Sequence, residues 1–199
     1  MRIEFGEWQI RSFQPDDAPP LAKYGNNRAV WRNIWDQHPH PYGIGDAEEW
    51  IRNAMQQSPE TIFAIASATE AIGCIGMLPQ SDVARLSAEV GYWLGEPFWG
   101  RGIATAALKA LTEYAFIEFD LVRLYATVME WNPASAKVLE KAGYQYEGLM
   151  RKSAIKDGQV IDQWLYAILR ERPAITETAG SRPRRSSASA PAAAPRHPC

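Results

Sequence analysis

One acidic residue and one glycine-broken turn lie close together in the middle of this chain. Glu89 falls within the apolar stretch 88–94, and the turn Gly100-Arg101-Gly102 precedes a second apolar run that begins at Ile103. The unpaired backbone N–H groups at the start of a helix form a natural phosphate site. A carboxylate on the preceding strand can accept a proton. These residues therefore predict an enzyme that uses a phosphorylated cofactor.

A second candidate group lies further along the chain. Asn132-Pro133 has the residue types that begin a helix, with asparagine as the cap and proline in the first turn. Ser135 follows one turn later and, taken by itself, is a second capping hydroxyl. By contrast, His38 and His40 lie in a proline-rich loop without a third ligand nearby, which makes a poor metal site. We therefore predict no bound metal.

Two well-known phosphate-binding motifs fit the glycine turn badly. A P-loop requires Lys and then Ser or Thr after its second glycine, whereas here Arg101 and Gly102 follow Gly100. Without that hydroxyl a magnesium ion loses a protein ligand, which disfavours nucleotide hydrolysis. The dinucleotide motif requires Gly or Ala where this chain has Thr105, and its ribose-binding acid should follow a strand. Asp120 instead precedes one.

The apolar pattern predicts the elements that position these groups. Strands are predicted at 8–14, 61–67, 71–78, 86–94, 122–129, 144–150 and 160–169. Helices are predicted at 16–24, 29–35, 46–57, 103–119 and 132–143, the third with a capping box formed by Asp46 and Glu49. The strand, helix and strand from 86 to 129 form a crossover with parallel strands. The predicted fold class is α/β, a mixed sheet with helices on both faces.

Length and composition limit the class of protein. The chain has 199 residues, enough for one sizeable core. No apolar run reaches the roughly 20 residues that cross a bilayer, and the N-terminus lacks the apolar core of a signal peptide. Only two cysteines occur, too few for a disulfide framework or a cysteine-rich zinc site. We therefore expect a cytoplasmic protein.

The end of the chain differs in composition from the rest. Residues 172–199 have no aromatic side chain and are dominated by Ala, Pro, Ser and Arg, so we predict a disordered tail after a domain at 1–171. The tail carries five arginines and one acid, whereas the net charge of the whole chain is −2. The domain is therefore acidic, which disfavours a nucleic-acid partner and favours a cationic acceptor.

Taken together, these motifs resemble the GNAT acetyltransferases, and in particular the branch that includes the ribosomal-protein N-acetyltransferases RimJ and RimL. Gly102 and Ala104 match the last two fixed positions of the family's pyrophosphate loop, whereas Trp99 stands where the broad family has Gln or Arg. The stretch 88–94 resembles the branch's fourth strand. Residues 132–144 resemble its Asn-x-x-Ser helix, which is followed by Gly-Tyr or Gly-Phe. The resemblance covers residues 8–170.

The resemblance implies where acetyl-CoA, the expected co-substrate, would bind. It would lie in a splay between the two parallel strands of a mostly antiparallel sheet, with its pyrophosphate on the glycine turn. The backbone of Leu94 would pair with the pantetheine amides and polarise the thioester carbonyl. The predicted contacts are Leu94, Trp99, Gly100, Arg101, Gly102, Ile103, Ala104, Thr105 and Asn132. Two alternatives stay open: Arg101 contacts phosphate or is solvated, and Trp99 packs on pantetheine or shields the loop.

The resemblance also implies catalytic roles for two residues. Glu89 would be the general base, acting directly or through a water molecule, and its apolar neighbours would raise its pKa by desolvation. The alternative is an ordinary carboxylate that faces solvent. Ser135 would hydrogen-bond the sulfur of the departing CoA, because Leu139 occupies the position where many members have a tyrosine. The loop that contains Trp35, His38 and Tyr42 borders the acceptor pocket or merely packs.

The expected activity is therefore acetyl transfer from acetyl-CoA to a primary amine by direct attack. A protein N-terminal α-amine is one possible acceptor. Small molecules such as polyamines, aminoglycosides and amino acids are the alternative. A different class of function is a catalytically weak CoA-binding module, which would keep the glycine turn without a working base. We expect a monomer or a homodimer, with no membrane partner.

Overall fold

The structure is a computed structural model that describes residues 1–170, which form an eight-stranded sheet and five α-helices. The strands are β1 (Arg2–Phe5), β2 (Trp8–Arg11), β3 (Ile62–Ala66), β4 (Ala71–Pro79), β5 (Ser87–Leu94), β6 (Arg123–Met129), β7 (Gln145–Lys156) and β8 (Gln159–Leu169). The helices are α1 (Ala18–Gly25), α2 (Arg28–Trp31), α3 (Ile44–Met55), α4 (Ile103–Glu118) and α5 (Pro133–Lys141). The predicted tail at 172–199 lies outside the described residues.

The strand order is β1-β2-β3-β4-β5-β6-β8-β7, and β5 with β6 is the parallel pair in this otherwise antiparallel sheet. This arrangement confirms the predicted fold class. The parallel pair arises because α4 connects β5 to β6 as a crossover. No helix within residues 1–170 is long and apolar enough to cross a membrane.

The two parallel strands are paired over three positions and then diverge. Ser87, Ala88 and Glu89 are in register with Arg123, Leu124 and Tyr125. Beyond this point β5 continues to Leu94 and β6 to Met129 without pairing to each other. The predicted splay is therefore present, and Glu89 lies at its apex.

Helices cover both faces of the sheet, as predicted. Every residue of β3 is buried, which requires cover on each side. On one face Tyr114 of α4 meets Phe63 edge-on, and the ladder that contains Phe63 continues through Ile75 to Tyr92. On the other face His38, whose ring nitrogen lies 3.1 Å from the carbonyl oxygen of Gly25 in α1, contacts Trp93, the next residue along β5. Neighbouring residues of β5 therefore face different helical layers.

The structure corrects several predicted boundaries. β1 was not anticipated; it is a four-residue edge strand with no fully buried side chain, so its apolar pattern is weak. Helix α3 begins at Ile44, with Gly43 as its cap. The Asp46 carboxylate accepts the N–H of Gly43 at 2.8 Å, so Asp46 lies in the first turn and does not cap the helix itself. The predicted Asp46–Glu49 capping box is therefore wrong. Helix α2 ends at Trp31, earlier than the predicted 35.

Candidate functional site

The glycine turn forms a cradle of free backbone donors at the start of α4. Gly100 and Gly102 have φ angles of 73° and 78°, a left-handed conformation that glycine adopts at low cost. Gly102 caps the helix, and the first amide to bond back along it is that of Ala106. Among the described residues, the backbone N–H groups of 100–105 donate to no other backbone group. They are available, at the positive end of a helix, to an anion such as pyrophosphate.

Leu94 presents its backbone to the splay. The N–H of Gly95 donates to the carbonyl of Ile72 on β4, so in the antiparallel alternation the amide and carbonyl of Leu94 point away from β4. The carbonyl already accepts the indole Nε1–H of Trp99 at 2.6 Å. This bond fixes the half-exposed Trp99 ring beside the turn. The Leu94 N–H is positioned for the role that the resemblance implies.

Helix α5 forms the opposite wall of the cleft. The side chain of Asn132 accepts the backbone N–H of Ser135 at 3.2 Å, which confirms Asn132 as the helix cap. Further along α5, Lys137 and Lys141, which are about one turn apart, line the same cleft. The cleft has a volume of about 350 Å³ and extends from the glycine turn to Ser135. It is therefore a long groove with backbone donors on one wall and two cationic side chains on the other.

Glu89 lies at the apex of the splay in a second, narrower cleft that adjoins the groove. Thr127 Oγ1 of β6 donates to Glu89 Oε1 at 3.3 Å. Burial raises the pKa of the Glu89 carboxyl above its ordinary value, and the Thr127 hydrogen bond partly opposes this shift. Since a carboxylate with a raised pKa is a stronger base, Glu89 is better suited to accept a proton than an ordinary surface carboxylate.

Tyr92 is a site residue that the sequence reasoning missed. It lies three residues after Glu89 on β5, so its side chain points to the opposite face of the sheet. There its hydroxyl lies 2.9 Å from Ser135 Oγ and 3.2 Å from the Ser135 carbonyl oxygen. The available signal was the strand alternation, which places Tyr92 on the face opposite to Glu89.

Glu89 and Ser135 therefore approach the splay from its two sides. Glu89 faces the layer that contains His38, whereas Ser135 belongs to the layer of α4 and α5. Both side chains line the narrow cleft, together with Trp35. Sequence reasoning also missed Asn33 and the buried Gln163, which contribute to the same lining.

His38 and Tyr42 lie behind the clefts and line neither of them. Their rings stack at 3.8 Å, and the imidazole Nε2 lies 3.1 Å from the carbonyl oxygen of Gly25. Burial lowers the pKa of His38 to about 4, so the ring is neutral at pH 7. This geometry matches the packing alternative for these two residues, whereas Trp35 lines the narrow cleft.

Arg101 points away from the groove. Its guanidinium pairs with Glu7 at 3.1 Å and lies over the ring of Trp8, 4.8 Å from the centroid. The pair is exposed to solvent, where such contacts contribute little stability. A bound phosphate would therefore face weak competition for this side chain, and the predicted phosphate contact stays a prediction.

Comparison with known proteins identifies the family. A family model described as an acetyltransferase (GNAT) domain matches residues 8–145. The uncharacterized N-acetyltransferase p20 of Bacillus licheniformis is 34% identical over 169 residues, which cover 81% of this chain and 92% of the relative. The spermidine N(1)-acetyltransferase of Escherichia coli is 24% identical over 151 residues, covering 76% and 80%. The structure of Mycobacterium smegmatis RimJ in complex with CoA-disulfide aligns over 81% of each chain at 24% identity, with a TM-score of 0.72. The chain therefore belongs to the GNAT family and is an acetyl-CoA-dependent N-acetyltransferase.

Proposed function

We propose that this enzyme acetylates a protein N-terminal α-amine, with Glu89 as the general base and Ser135 as the group that contacts the leaving sulfur. The observation that carries the proposal is the placement of these two residues on opposite sides of the splay, at the junction of the two clefts. An amine that enters past Trp35 would meet Glu89 first. The thiol would leave along the groove that Ser135 lines.

The groove has the chemistry that acetyl-CoA requires. The free N–H groups of 100–105 would hold the pyrophosphate, and Lys137 and Lys141 add positive charge across the groove. The free amide of Leu94 points into the splay, where it would hydrogen-bond the thioester carbonyl as negative charge develops on that oxygen. Each of these contacts uses an atom that the fold has left without a competing backbone partner among residues 1–170.

The proton balance favours an acceptor of low pKa. The attacking amine must be neutral, and it releases one proton as the N–C bond forms and the C–S bond breaks. An α-amine with a pKa of about 7.7–8.0 is roughly one tenth neutral at pH 7, whereas a lysine side chain near 10.4 is less than about 0.1% neutral. Glu89, a carboxylate with only Thr127 as its hydrogen-bond donor among the described side chains, suits the easier proton transfer.

A small-molecule acceptor is the second candidate function. The acidic net charge of the domain favours a cationic substrate, and a relative that covers most of the chain is named spermidine N(1)-acetyltransferase. Such an acceptor would bring an amine of higher pKa to the same base. Its reaction would therefore accelerate more steeply at alkaline pH.

An acceptor comparison tests the proposal directly. Purified enzyme and acetyl-CoA would be offered three acceptors: a peptide with a free N-terminus and no lysine, the same peptide with a blocked N-terminus and one lysine, and spermidine. Thiol release and the mass of each product would be measured. We expect turnover with the first peptide and little with the second. Preference for spermidine would establish the alternative, and stabilisation by CoA without turnover on any acceptor would contradict the proposed reaction.

Ser135→Ala tests the leaving-group role. A hydrogen bond to a charged group is worth about 1.5–3 kcal/mol, so we expect kcat to fall roughly 10- to 150-fold. The KM for acetyl-CoA should change little, since the contact strengthens as charge develops on the sulfur. The helix should persist, because Asn132 caps the backbone N–H of residue 135 and not its side chain. A raised KM with unchanged kcat would instead assign Ser135 to ground-state binding.

We further propose that the enzyme acts in the cytoplasm as a monomer or homodimer. The two cysteines and the apolar patterning of the sequence support the compartment. Sedimentation at several protein concentrations would determine the assembly.

A further inference from the structure

We propose that Tyr92 is a positioning residue for thiol departure: its hydroxyl donates to Ser135 Oγ and thereby turns the serine proton toward the sulfur. This inference rests on the proposed role of Ser135. It adds a residue from β5, the strand that carries Glu89, to the leaving-group side of the site.

The geometry joins Tyr92 and Ser135 from separate elements. The two hydroxyl oxygens lie 2.9 Å apart, a normal distance for an O–H···O hydrogen bond. Tyr92 is fixed within β5 by its register with Ile75 of β4, and Ser135 is fixed by the Asn132 cap of α5. The phenol therefore holds a defined position relative to the serine. Both residues line the groove and the narrow cleft.

Tyr92 Oη lies within hydrogen-bond distance of two acceptors on Ser135, the carbonyl oxygen at 3.2 Å and Oγ at 2.9 Å, and we assign its single proton to the nearer one. Each hydroxyl has one proton, so when Tyr92 donates to Ser135 Oγ, the Ser135 proton must point elsewhere. No other side-chain partner for Ser135 Oγ is present among the described residues, and this side chain faces the cleft. A serine held in this way offers its proton to the sulfur without first having to rotate.

Tyr92 keeps its own proton throughout the step. As the C–S bond breaks, its electron pair passes to sulfur, and the proton of the amine passes to Glu89. A thiol has a pKa near 8.5 and a phenol near 10, so proton transfer from Tyr92 to the thiolate would be unfavourable. Burial raises the pKa of Tyr92 further. Its contribution is therefore a fixed hydrogen bond that strengthens the one from Ser135.

A double-mutant cycle tests this assignment, with Tyr92→Phe, Ser135→Ala and the double variant compared by steady-state kinetics. We expect Tyr92→Phe to lower kcat about fivefold, the effect of one net hydrogen bond, with an unchanged KM for acetyl-CoA. In the Ser135→Ala background, Tyr92→Phe should have no further effect. The alkaline side of the pH profile should be unchanged in Tyr92→Phe, because Tyr92 does not titrate in the working range.

Tyr144→Phe is the matched control. It also removes a phenol that lies 2.9 Å from a hydroxyl, that of Thr112, but it lines neither cleft. If Tyr144→Phe lowers kcat as much as Tyr92→Phe, the effect is structural and the inference is overturned. If the Tyr92→Phe effect multiplies that of Ser135→Ala, Tyr92 acts independently and the inference alone fails. If Ser135→Ala has wild-type kcat, the proposed role of Ser135 fails as well.

Discussion

Glu89→Gln is expected to lower kcat by about 10²- to 10⁴-fold, the range that a positioned general base contributes. Glutamine has the same shape and can still accept the Thr127 hydrogen bond, so the site should keep its geometry. Acetyl-CoA affinity should be nearly unchanged, because Glu89 lies at the apex of the splay and does not line the groove that would hold the cofactor. Steady-state kinetics together with calorimetric titration of CoA would measure both quantities.

The pH dependence of kcat/KM tests the same role of Glu89. The base acts in its ionised form, so activity should rise with pH as Glu89 loses its proton. Burial raises the pKa of Glu89 above the ordinary 4.5, and the acid limb of kcat/KM should lie correspondingly higher. In Glu89→Gln the Glu89 contribution should disappear, which leaves only the rise caused by deprotonation of the amine near its own pKa of about 7.7–8.0. Glu113→Gln, at an exposed position of α4, is the control and should leave the profile intact. Full activity with an unchanged acid limb in Glu89→Gln would rule out the general-base role.

The thermal stability of Glu89→Gln shows whether a loss of activity comes from the missing base or from a damaged fold. Since the pKa of Glu89 is raised in the folded state, its ionisation opposes folding as pH rises through the unfolded and then the folded pKa. At pH 7 the neutral glutamine removes this cost. Glu89→Gln should therefore unfold at the same or a higher temperature than the wild type, while it turns over far more slowly.

The central architecture could be predicted from the sequence because its signals are local. The strand of 86–94, the glycine turn, the long apolar helix and the next strand follow one another without a gap, and a right-handed crossover leaves little freedom in their arrangement. The edge strand β1 could not be predicted in this way, since only its pairing with β2 defines it. The start of α3 was misplaced for a related reason. Gly43 and Asp46 both fit a helix start, and the observed hydrogen bond decides between them.

In the candidate site too, the residues with a local sequence signal were predicted, whereas contacts between distant parts of the chain were not. Glu89, Ser135 and the glycine turn were predicted because each belongs to a short motif. Tyr92 also lies in the stretch 88–94, yet its contact with Ser135 joins residues 43 apart in sequence. Strand alternation gives the face on which Tyr92 lies, but not which helix packs there. Likewise, the position of Trp99 depends on a hydrogen bond to the Leu94 carbonyl, which apolar patterning does not indicate.

Gly102→Val is expected to have the second large effect, a loss of acetyl-CoA affinity of about tenfold or more. Gly102 has a φ of 78°, and a side chain would meet open space there, so the cost lies in the backbone conformation and not in a clash. A left-handed conformation costs a residue with a side chain about 1–2 kcal/mol, and a β-branched residue more. The turn should therefore relax to another conformation, which would move the free N–H groups of 100–105 away from the pyrophosphate. Calorimetric titration with CoA would measure the loss.

Gly158→Val separates this effect from general strain. Gly158 has a φ of 73°, also faces open space, and lies in the turn between β7 and β8, outside the lining of the groove. The two variants should lose similar thermal stability, since the same backbone conformation is penalised in each. Only Gly102→Val should bind CoA more weakly, because only its turn supplies the backbone donors. Equal CoA affinity in the two variants would show that the start of α4 does not hold the pyrophosphate.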